Sequence, residues 1–294
     1  MTAAMILCAG LGTRLAPLTR WIAKPMVPVG DAPAVEHVAR ALRRAGLERP
    51  VVNVHHRPDD LRSWAGDVGA IVSEEPVLLG TAGGLGNARA LLGAEDVLVW
   101  NGDILSDLDP SDLLADHRSF DALATLAVIA RPAGTGNVGL HGDRVVRLRS
   151  ESFGEEAEGG EFLGIHVVSG TLRTFLPERG CLVGDVYLPA LRRGANLRAH
   201  RTSASFVDIG DVGSYVAANR AWLAGRASWV APDARVNADV TGSVVGARAR
   251  VDAATTSCVV WPDAHVSRAF DGAIITPFGE VTPGTAPART RRPR

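Results

Sequence analysis

Between residues 232 and 276 the chain repeats every fifteen positions, and that period leaves few folds open to it. Aligning 232–246, 247–261 and 262–276 puts Ala234, Ala249 and Ala264 in one phase, Val236, Val251 and Val266 in a second, and Val245, Val260 and Ile275 in a third. Small and branched residues at a fixed phase bury their apolar face by stacking one coil on the next. The period predicts a short β-helix over 227–282, with Val281 beginning a fourth turn, in preference to a β-meander. An open end of such a stack exposes strand edges and apolar surface, which favours a homo-oligomeric contact through the coils. Residues 283–294 read as a disordered tail.

Residues 1–226 follow a different rule. Up to about Leu126, short apolar runs alternate with amphipathic segments, the signature of a parallel sheet covered by helices. Candidate strands are 4–8, 50–54, 70–73, 97–100 and 122–129. Val35, Val38, Ala39, Leu42 and Ala45 share a helical face, with Gly46 as its stop. Asp109-Pro110-Ser111 opens another helix. From about 131 to 226 short strands (145–148, 162–168) mix with helices around 186–191 and 212–223.

The net charge of −1 offers no electrostatic footprint for nucleic acid. No apolar run approaches the roughly 20 residues that a membrane span needs. The opening Met1-Thr2-Ala3-Ala4-Met5-Ile6-Leu7 lacks a basic leader and reads as a first strand, so a soluble cytoplasmic protein is expected. Cys8, Cys181 and Cys258 have no metal-ligand spacing.

Gly10-Leu11-Gly12-Thr13-Arg14 follows the first strand, at the sheet edge where ligands bind in open α/β folds. Two glycines let backbone N–H groups approach phosphate oxygens, and Arg14 adds a bidentate donor. Position 15 is Leu, so the dinucleotide fingerprint lacks its third glycine, and no lysine follows as a P-loop requires. The chain's single lysine is Lys24, in Lys24-Pro25-Met26-Val27-Pro28-Val29, against thirty arginines. An ammonium is a compact point charge where a guanidinium is a planar fork, so a lysine kept beside a phosphate loop points to chemistry. Leu79-Gly80-Thr81-Ala82-Gly83-Gly84, preceding a helix, is a second place where bare backbone could face a ligand such as a base. Asp103 ends the strand that carries Trp100, and Asp208 follows another apolar strand. Two carboxylates plus phosphate oxygens suit Mg²⁺.

These segments together resemble the sugar-1-phosphate nucleotidylyltransferases. The specific part is the run Gly10-Leu11-Gly12-Thr13-Arg14-Leu15-Ala16-Pro17-Leu18-Thr19 followed by Lys24-Pro25-Met26-Val27-Pro28-Val29. Supporting matches are Gly80-Thr81-Ala82-Gly83-Gly84, Gly102-Asp103, Phe162-Leu163-Gly164-Ile165, Asp185-Val186-Tyr187 and Asp208-Ile209-Gly210. The resemblance covers about Ala4 to Arg226. It implies an α/β fold with a Rossmann-like mixed sheet and flanking helices (the nucleotide-diphospho-sugar transferase fold), here with a short C-terminal left-handed β-helix.

It further implies that an NTP and a sugar 1-phosphate give an NDP-sugar and pyrophosphate. Ala9, Gly10, Gly12 and Thr13 would cradle the NTP phosphates, Arg14 would hold the departing pyrophosphate, and Lys24 would neutralise charge between the reacting phosphates. Asp103 and Asp208 would hold Mg²⁺. Gly80, Thr81 and Gly83 would face the base, and Gly139, Arg149, Glu151 and Gly164 the sugar phosphate. Segment 79–84 most resembles the mannose-1-phosphate guanylyltransferase group and related uridylyltransferases, and it lacks the glutamine of deoxythymidylyl-transferring relatives. GDP-mannose synthesis is the leading expectation, with a uridylyltransferase or a non-catalytic nucleotide-sugar-binding subunit as alternatives. Arg14, Lys24, Asp103 and Asp208 are all present, which weighs against the last.

One departure is chemical. Many members carry a Glu-Lys-Pro whose lysine grips the sugar phosphate. The corresponding stretch here is Arg147-Leu148-Arg149-Ser150-Glu151, so either arginine substitutes or the sugar phosphate is held otherwise, as in the branch of the family that lacks the motif. Elsewhere, His55-His56 reads as polar surface, Cys8 as core packing, and Glu155, Glu156, Glu158 and Glu161 as a solvated acidic loop. His265 is the only histidine in the coils, which argues against acyl transfer there.

Overall fold

The computed structural model describes residues 2–283; residues 284–294 of the expected tail lie outside the described residues. The chain forms two compact units. One comprises the residues up to Leu11, Ala23–Met26 and Ala34–Phe206; the other comprises Gly12–Ile22, Val27–Pro33 and the residues from Val207 onward.

The first unit is built on a mixed sheet. Its strands run, in spatial order, Glu151–Ser152, Arg144–Leu148, Leu197–Arg201, Ala124–Arg131, Glu158–Val168, Val97–Asn101, Ala3–Leu7, Val51–Val54 and Ile71–Glu74. Val138–His141 pairs with both Arg144–Leu148 and Glu158–Val168. The last four strands in that order are mutually parallel, with Met5 opposite both Val99 and Val51. Glu158–Val168 is antiparallel to both its long neighbours. The near-continuous apolar runs have the composition that burial on both faces demands. Alternate residues of Ala3–Leu7 point to opposite faces, each with its own core. Met5 joins Leu85, Val99, Leu126 and Tyr187 on one side. Ala4 and Ile6 join Val35, Leu42, Trp64 and Leu113 on the other.

Two helices keep the terminal signals read from their sequences. Ala34–Arg44 buries Val35, Val38, Ala39 and Leu42. Gly46 ends it with φ 76°, a left-handed conformation that suits glycine. Pro110–Arg118 is capped by Asp109, whose carboxylate accepts from the Ser111 N–H at 2.8 Å. No helix among the described residues is long and apolar enough to cross a membrane.

In the second unit the fifteen-residue period appears as hydrogen-bonded register. Trp229 pairs in parallel with Val244, Val244 with Val259, and Val259 with Ile274. Val236, Val251 and Val266 form a second ladder, and Thr241, Thr256 and Asp271 a third. Val251 and Val266 are fully buried, whereas Val236 on the first coil is 38 % exposed. The expected fourth turn does not form. Gly279–Val281 folds back antiparallel on Ile274–Thr276, pairing Val281 with Ile274. Thr276 ties the turn by accepting from the Phe278 N–H and donating to the Gly279 carbonyl.

Helix Val212–Leu223 belongs to this unit and opens with a reciprocal cap between Asp211 and Ser214. Its Tyr215 hydroxyl donates to the Pro28 carbonyl at 2.6 Å and accepts from the Trp261 indole N–H at 2.9 Å. Asn219 accepts from the Gly30 N–H at 3.0 Å. Gly30 has φ 59°, and a Cβ there would overlap the Trp222 ring. The segment 27–33 is thereby pinned to both the helix and the coils.

Candidate active site

The parallel half of the sheet has a topological switch point. The chain moves from Ala3–Leu7 outward to Val51–Val54 and Ile71–Glu74, then returns to Val97–Asn101 on the opposite side. A crevice is therefore expected beyond the carboxyl ends of Ala3–Leu7 and Val97–Asn101. From the first strand come Cys8, Ala9 and Gly10; from the second, Gly102 and Asp103. The Gly102 N–H donates to the Leu7 carbonyl at 2.9 Å, drawing the two strand ends together. A Cβ on Gly102 would lie 2.8 Å from Cys8 Sγ, so glycine is needed for that approach. Ala9 is buried, whereas Gly10 is exposed and has open space where a side chain would be. Cys8 is buried, and its thiol is pushed far up first by that burial and then by the Asp103 carboxylate. It is a packing residue.

Lys24 reaches this edge from a single turn, Lys24–Met26. The Asp60 carboxylate holds the turn through the Ala23 N–H at 2.9 Å. The Lys24 ammonium forms an ion pair with the Asp103 carboxylate, their side chains 11 % and 27 % exposed. The lysine and one of the acids singled out in the sequence are thus in direct contact. No group of three or more His, Cys, Asp or Glu side chains among the described residues could enclose a metal. Asp103 still fits Mg²⁺, which is commonly held by one or two carboxylates together with phosphate oxygens and water.

In the second unit, Gly12 adopts φ 61° and Thr13–Leu15 forms a single turn, its Leu15 N–H bonded to the Gly12 carbonyl at 2.9 Å. Thr19 donates its hydroxyl to the same carbonyl at 3.0 Å. Arg14 lies against Gly210, where a Cβ would be 3.4 Å from both terminal guanidinium nitrogens. Gly210 therefore makes room for Arg14, two residues after the exposed Asp208. The Asp211 carboxyl is held below its usual range by the Ser214 N–H first, with a smaller contribution from Arg14.

The second glycine segment differs from its expected setting. It does not precede a helix but forms the start of one, Gly80–Asn87. Its glycines meet backbone. A Cβ on Gly80 would lie 2.5 Å from the Gly180 carbonyl oxygen, and one on Gly83 would lie 2.5 Å from that of Glu178. The Ala82 N–H donates to Gly180 O at 2.9 Å, Gly180 N–H to Leu79 O at 2.8 Å, and Leu182 N–H to the Thr81 hydroxyl at 2.8 Å.

On the side expected to take the sugar phosphate, the two candidate arginines separate. Arg147 is fully committed: it pairs with Glu156 at 2.6 Å and donates to the carbonyls of Thr135, Gly136, Val138 and Arg149. A Cβ on Gly139 would strike this pair, 2.5 Å from Glu156 Oε2. Glu156, Glu158 and Glu161 are thus not a solvated loop, since Glu158 pairs with Arg201 and Glu161 accepts from Asn137. Arg149 is exposed, in a left-handed conformation (φ 56°), with its guanidinium 3.5 Å from Cys181 Sγ. Burial raises the Cys181 thiol, but the N–H groups of Gly184 and Val183, the Thr81 hydroxyl and Arg149 together bring it below its ordinary value. Glu151 is held at both oxygens by Arg192. Gly164 (φ 75°) lies against Asn101, where a Cβ would be 2.6 Å from the side-chain nitrogen.

Two buried residues escaped sequence reasoning. Asn53 accepts from the Cys8 N–H at 2.7 Å and donates to Glu75 at 2.7 Å, and Glu75 accepts from the Leu79 N–H at 3.0 Å. The available signal was a lone amide in the apolar run Val51–Val54. His55 is drawn inward too, its Nδ1 lying 2.9 Å from the Glu75 carbonyl.

Residues 3–137 match the family model described as nucleotidyl transferase. The mannose-1-phosphate guanylyltransferase of Mycobacterium tuberculosis is 36% identical over 132 residues, 43% of this chain and 36% of that protein. The UTP–glucose-1-phosphate uridylyltransferase of Synechocystis sp. is 30% identical over 244 residues, 75% of this chain and 63% of that protein. The chain thus spans 36% and 63% of the length of these two relatives. HddC from Yersinia pseudotuberculosis, complexed with GMP-PN, shares the fold with a TM-score of 0.63 at 23% identity, covering 76% of this chain and all of that one.

Proposed function

The chain belongs to the sugar-1-phosphate nucleotidylyltransferase family, and on that premise we propose that it transfers a nucleotidyl group from an NTP to a sugar 1-phosphate, releasing pyrophosphate. The observation that carries this reading is the Lys24–Asp103 ion pair at the switch-point edge of the sheet. It sets the chain's single ammonium beside a carboxylate where phosphate groups are expected to bind.

In this reading a sugar-phosphate oxygen attacks the α-phosphorus and the bond to pyrophosphate breaks. The protein's part is positioning and neutralisation of charge. Ala9, Gly10, Gly12 and Thr13 supply backbone and hydroxyl contacts to the NTP phosphates, and Arg14 holds pyrophosphate. Lys24 leaves Asp103 to neutralise the reacting phosphates. Asp103 and Asp208 are the carboxylates assigned to Mg²⁺, which when bound screens phosphate charge. Gly80, Thr81 and Gly83 are assigned to the base, and Gly139, Glu151 and Gly164 to the sugar side. The committed bonding of Arg147 and the exposure of Arg149 favour Arg149 as the sugar-phosphate cation.

For the substrates we favour GTP and mannose 1-phosphate, supported by the likeness of segment 79–84 to the guanylyltransferase group and by the mycobacterial relative. The Synechocystis relative supports UTP as the second reading. We also read the C-terminal coils as a left-handed β-helix that joins copies of the chain, a role supported by the exposed Val236 on the first coil.

The test is pyrophosphate release from a matrix of NTPs and sugar 1-phosphates with Mg²⁺, beside Lys24→Ala. Release with one pair that is lost in the variant establishes the activity and identifies both substrates. Silence across the matrix rejects it.

A further inference from the structure

We propose that Asn53 and Glu75 are positioning residues that fix the separation between the Cys8–Gly10 turn and the segment beginning at Leu79. The pair would thereby set the fit of the nucleoside triphosphate; this last step rests on the nucleotidyl-transfer reading above. Both residues are 3 % exposed, beneath the two backbone segments.

The chain of contacts is short and complete. The Cys8 N–H donates to Asn53 Oδ1 at 2.7 Å, Asn53 Nδ2 donates to Glu75 Oε1 at 2.7 Å, and the Leu79 N–H donates to Glu75 Oε2 at 3.0 Å. One end seizes the first backbone N–H after the Ala3–Leu7 strand. The other seizes the N–H just before the helix Gly80–Asn87. A nucleoside triphosphate with its phosphates at the first segment and its base at the second spans the distance that this pair holds.

Gly84 supplies independent support. A Cβ there would lie 2.5 Å from Glu75 Oε1 and 2.8 Å from Asn53 Nδ2, so the glycine leaves the space that the pair fills. An aliphatic filler would satisfy packing, but only this amide and carboxyl join the two N–H groups in one hydrogen-bonded path. Buried polar groups left without partners are costly, so the path has one good arrangement rather than several.

The pairing predicts a reciprocal rescue. Glu75→Gln keeps the volume but turns an NH₂ toward one of two donors, so one bond must fail. Asn53→Asp sets two carboxyl groups against each other. Asn53→Asp combined with Glu75→Gln restores all three bonds. The carboxylate now at position 53 accepts from the Cys8 N–H and from the amide NH₂ now at position 75, and the oxygen of that amide accepts from the Leu79 N–H.

The experiment measures KM for NTP and for sugar phosphate, kcat, and amide hydrogen exchange at Cys8 and Leu79 in the full chain. Glu75→Gln is expected to raise KM for NTP about tenfold or more and to speed exchange at one or both amides, with the sugar-phosphate KM nearly unchanged. The double variant is expected to return both readouts to within about threefold of the starting values. An active starting enzyme whose NTP KM ignores Glu75→Gln overturns the proposal, as does a double variant that recovers neither folding nor KM. If no NTP is turned over by the unaltered chain, the activity reading fails separately. The exchange data then still decide whether the pair holds the two segments.

Discussion

A guanidinium could bring the same charge as Lys24 to Asp103, but its planar fork fixes the direction of its bonds and resists the transfer of that charge from carboxylate to phosphate. Lys24→Ala is expected to lower kcat by about 10²–10³-fold, the range for loss of one preorganised charge-stabilising donor, and Lys24→Arg to recover only part of it. Steady-state pyrophosphate release checks both. The neighbouring arginines should fail differently. Arg147→Ala strands Glu156 and four carbonyls and is expected to cost about 2–4 kcal/mol, read as a lower urea midpoint. Arg149→Ala should leave stability within about 0.5 kcal/mol and raise KM for the sugar phosphate. A further residue ties stability to pH. His166 is buried without a hydrogen-bond partner for either ring nitrogen, packed against Phe162 and Tyr187, and burial pushes its pKa down to about 3. The unfolded chain takes up a proton at this position below about pH 6.5 and the folded chain does not, so folding weakens as pH falls from there toward 3. Unfolding free energies at pH 7 and 5 should fall less for His166→Phe than for the unaltered chain. At this scale the sequence exposed Lys24 and Asp103 because an unusual residue and a strand-end acid stand out along the chain. It hid Asn53, Glu75 and the division of labour between Arg147 and Arg149. Those depend on which groups meet across 22 positions for Asn53 and Glu75 and across 9 for Arg147 and Glu156, and no local pattern encodes that.

Elements repeat the contrast. The four parallel strands, the helix Ala34–Arg44 and its glycine stop were legible because period and punctuation are local properties. Three coils were legible, since Val236, Val251 and Val266 share both phase and ladder, but the fourth turn expected at Val281 folds back as an antiparallel strand. Two further elements were misread for physical reasons. Glycines at 80, 83 and 84 suggest a loop by propensity. Close approach of the 178–180 backbone and of the Asn53–Glu75 pair overrides that propensity and keeps the segment helical. The run from Glu155 to Glu161 suggests a solvated loop by charge, but arginines from other strands and Asn137 meet it. Along the coils the same substitution should have two costs. Val251→Ala, at a fully buried position, is expected to destabilise by about 2 kcal/mol, and Val236→Ala, on the exposed first coil, by no more than about 0.5 kcal/mol. Calorimetry of the two variants side by side makes that comparison.

For the whole molecule, the important fact is that the units are interleaved in sequence rather than strung in order. Thr13, Arg14 and Asp208 belong to the unit that holds the coils, and Trp261 of the second coil bonds Tyr215, which in turn bonds Pro28. Ending the chain near Arg226 is therefore expected to do more than change an assembly state: it should lower the melting temperature and weaken NTP binding. Differential scanning calorimetry and nucleotide titration of the shortened chain would expose the idea as wrong if both stayed at full-length values. The same interleaving has a consequence for biosynthesis. Domains usually fold as they leave the ribosome, at about 5–20 residues per second. Here the stretch that carries Arg14 emerges well before its fold partners from Val207 onward, which follow on the order of ten seconds or more later. During that wait Leu15 and Leu18, fully buried in the finished protein, have no core to enter, so a nascent chain of this kind invites chaperone capture at that stretch.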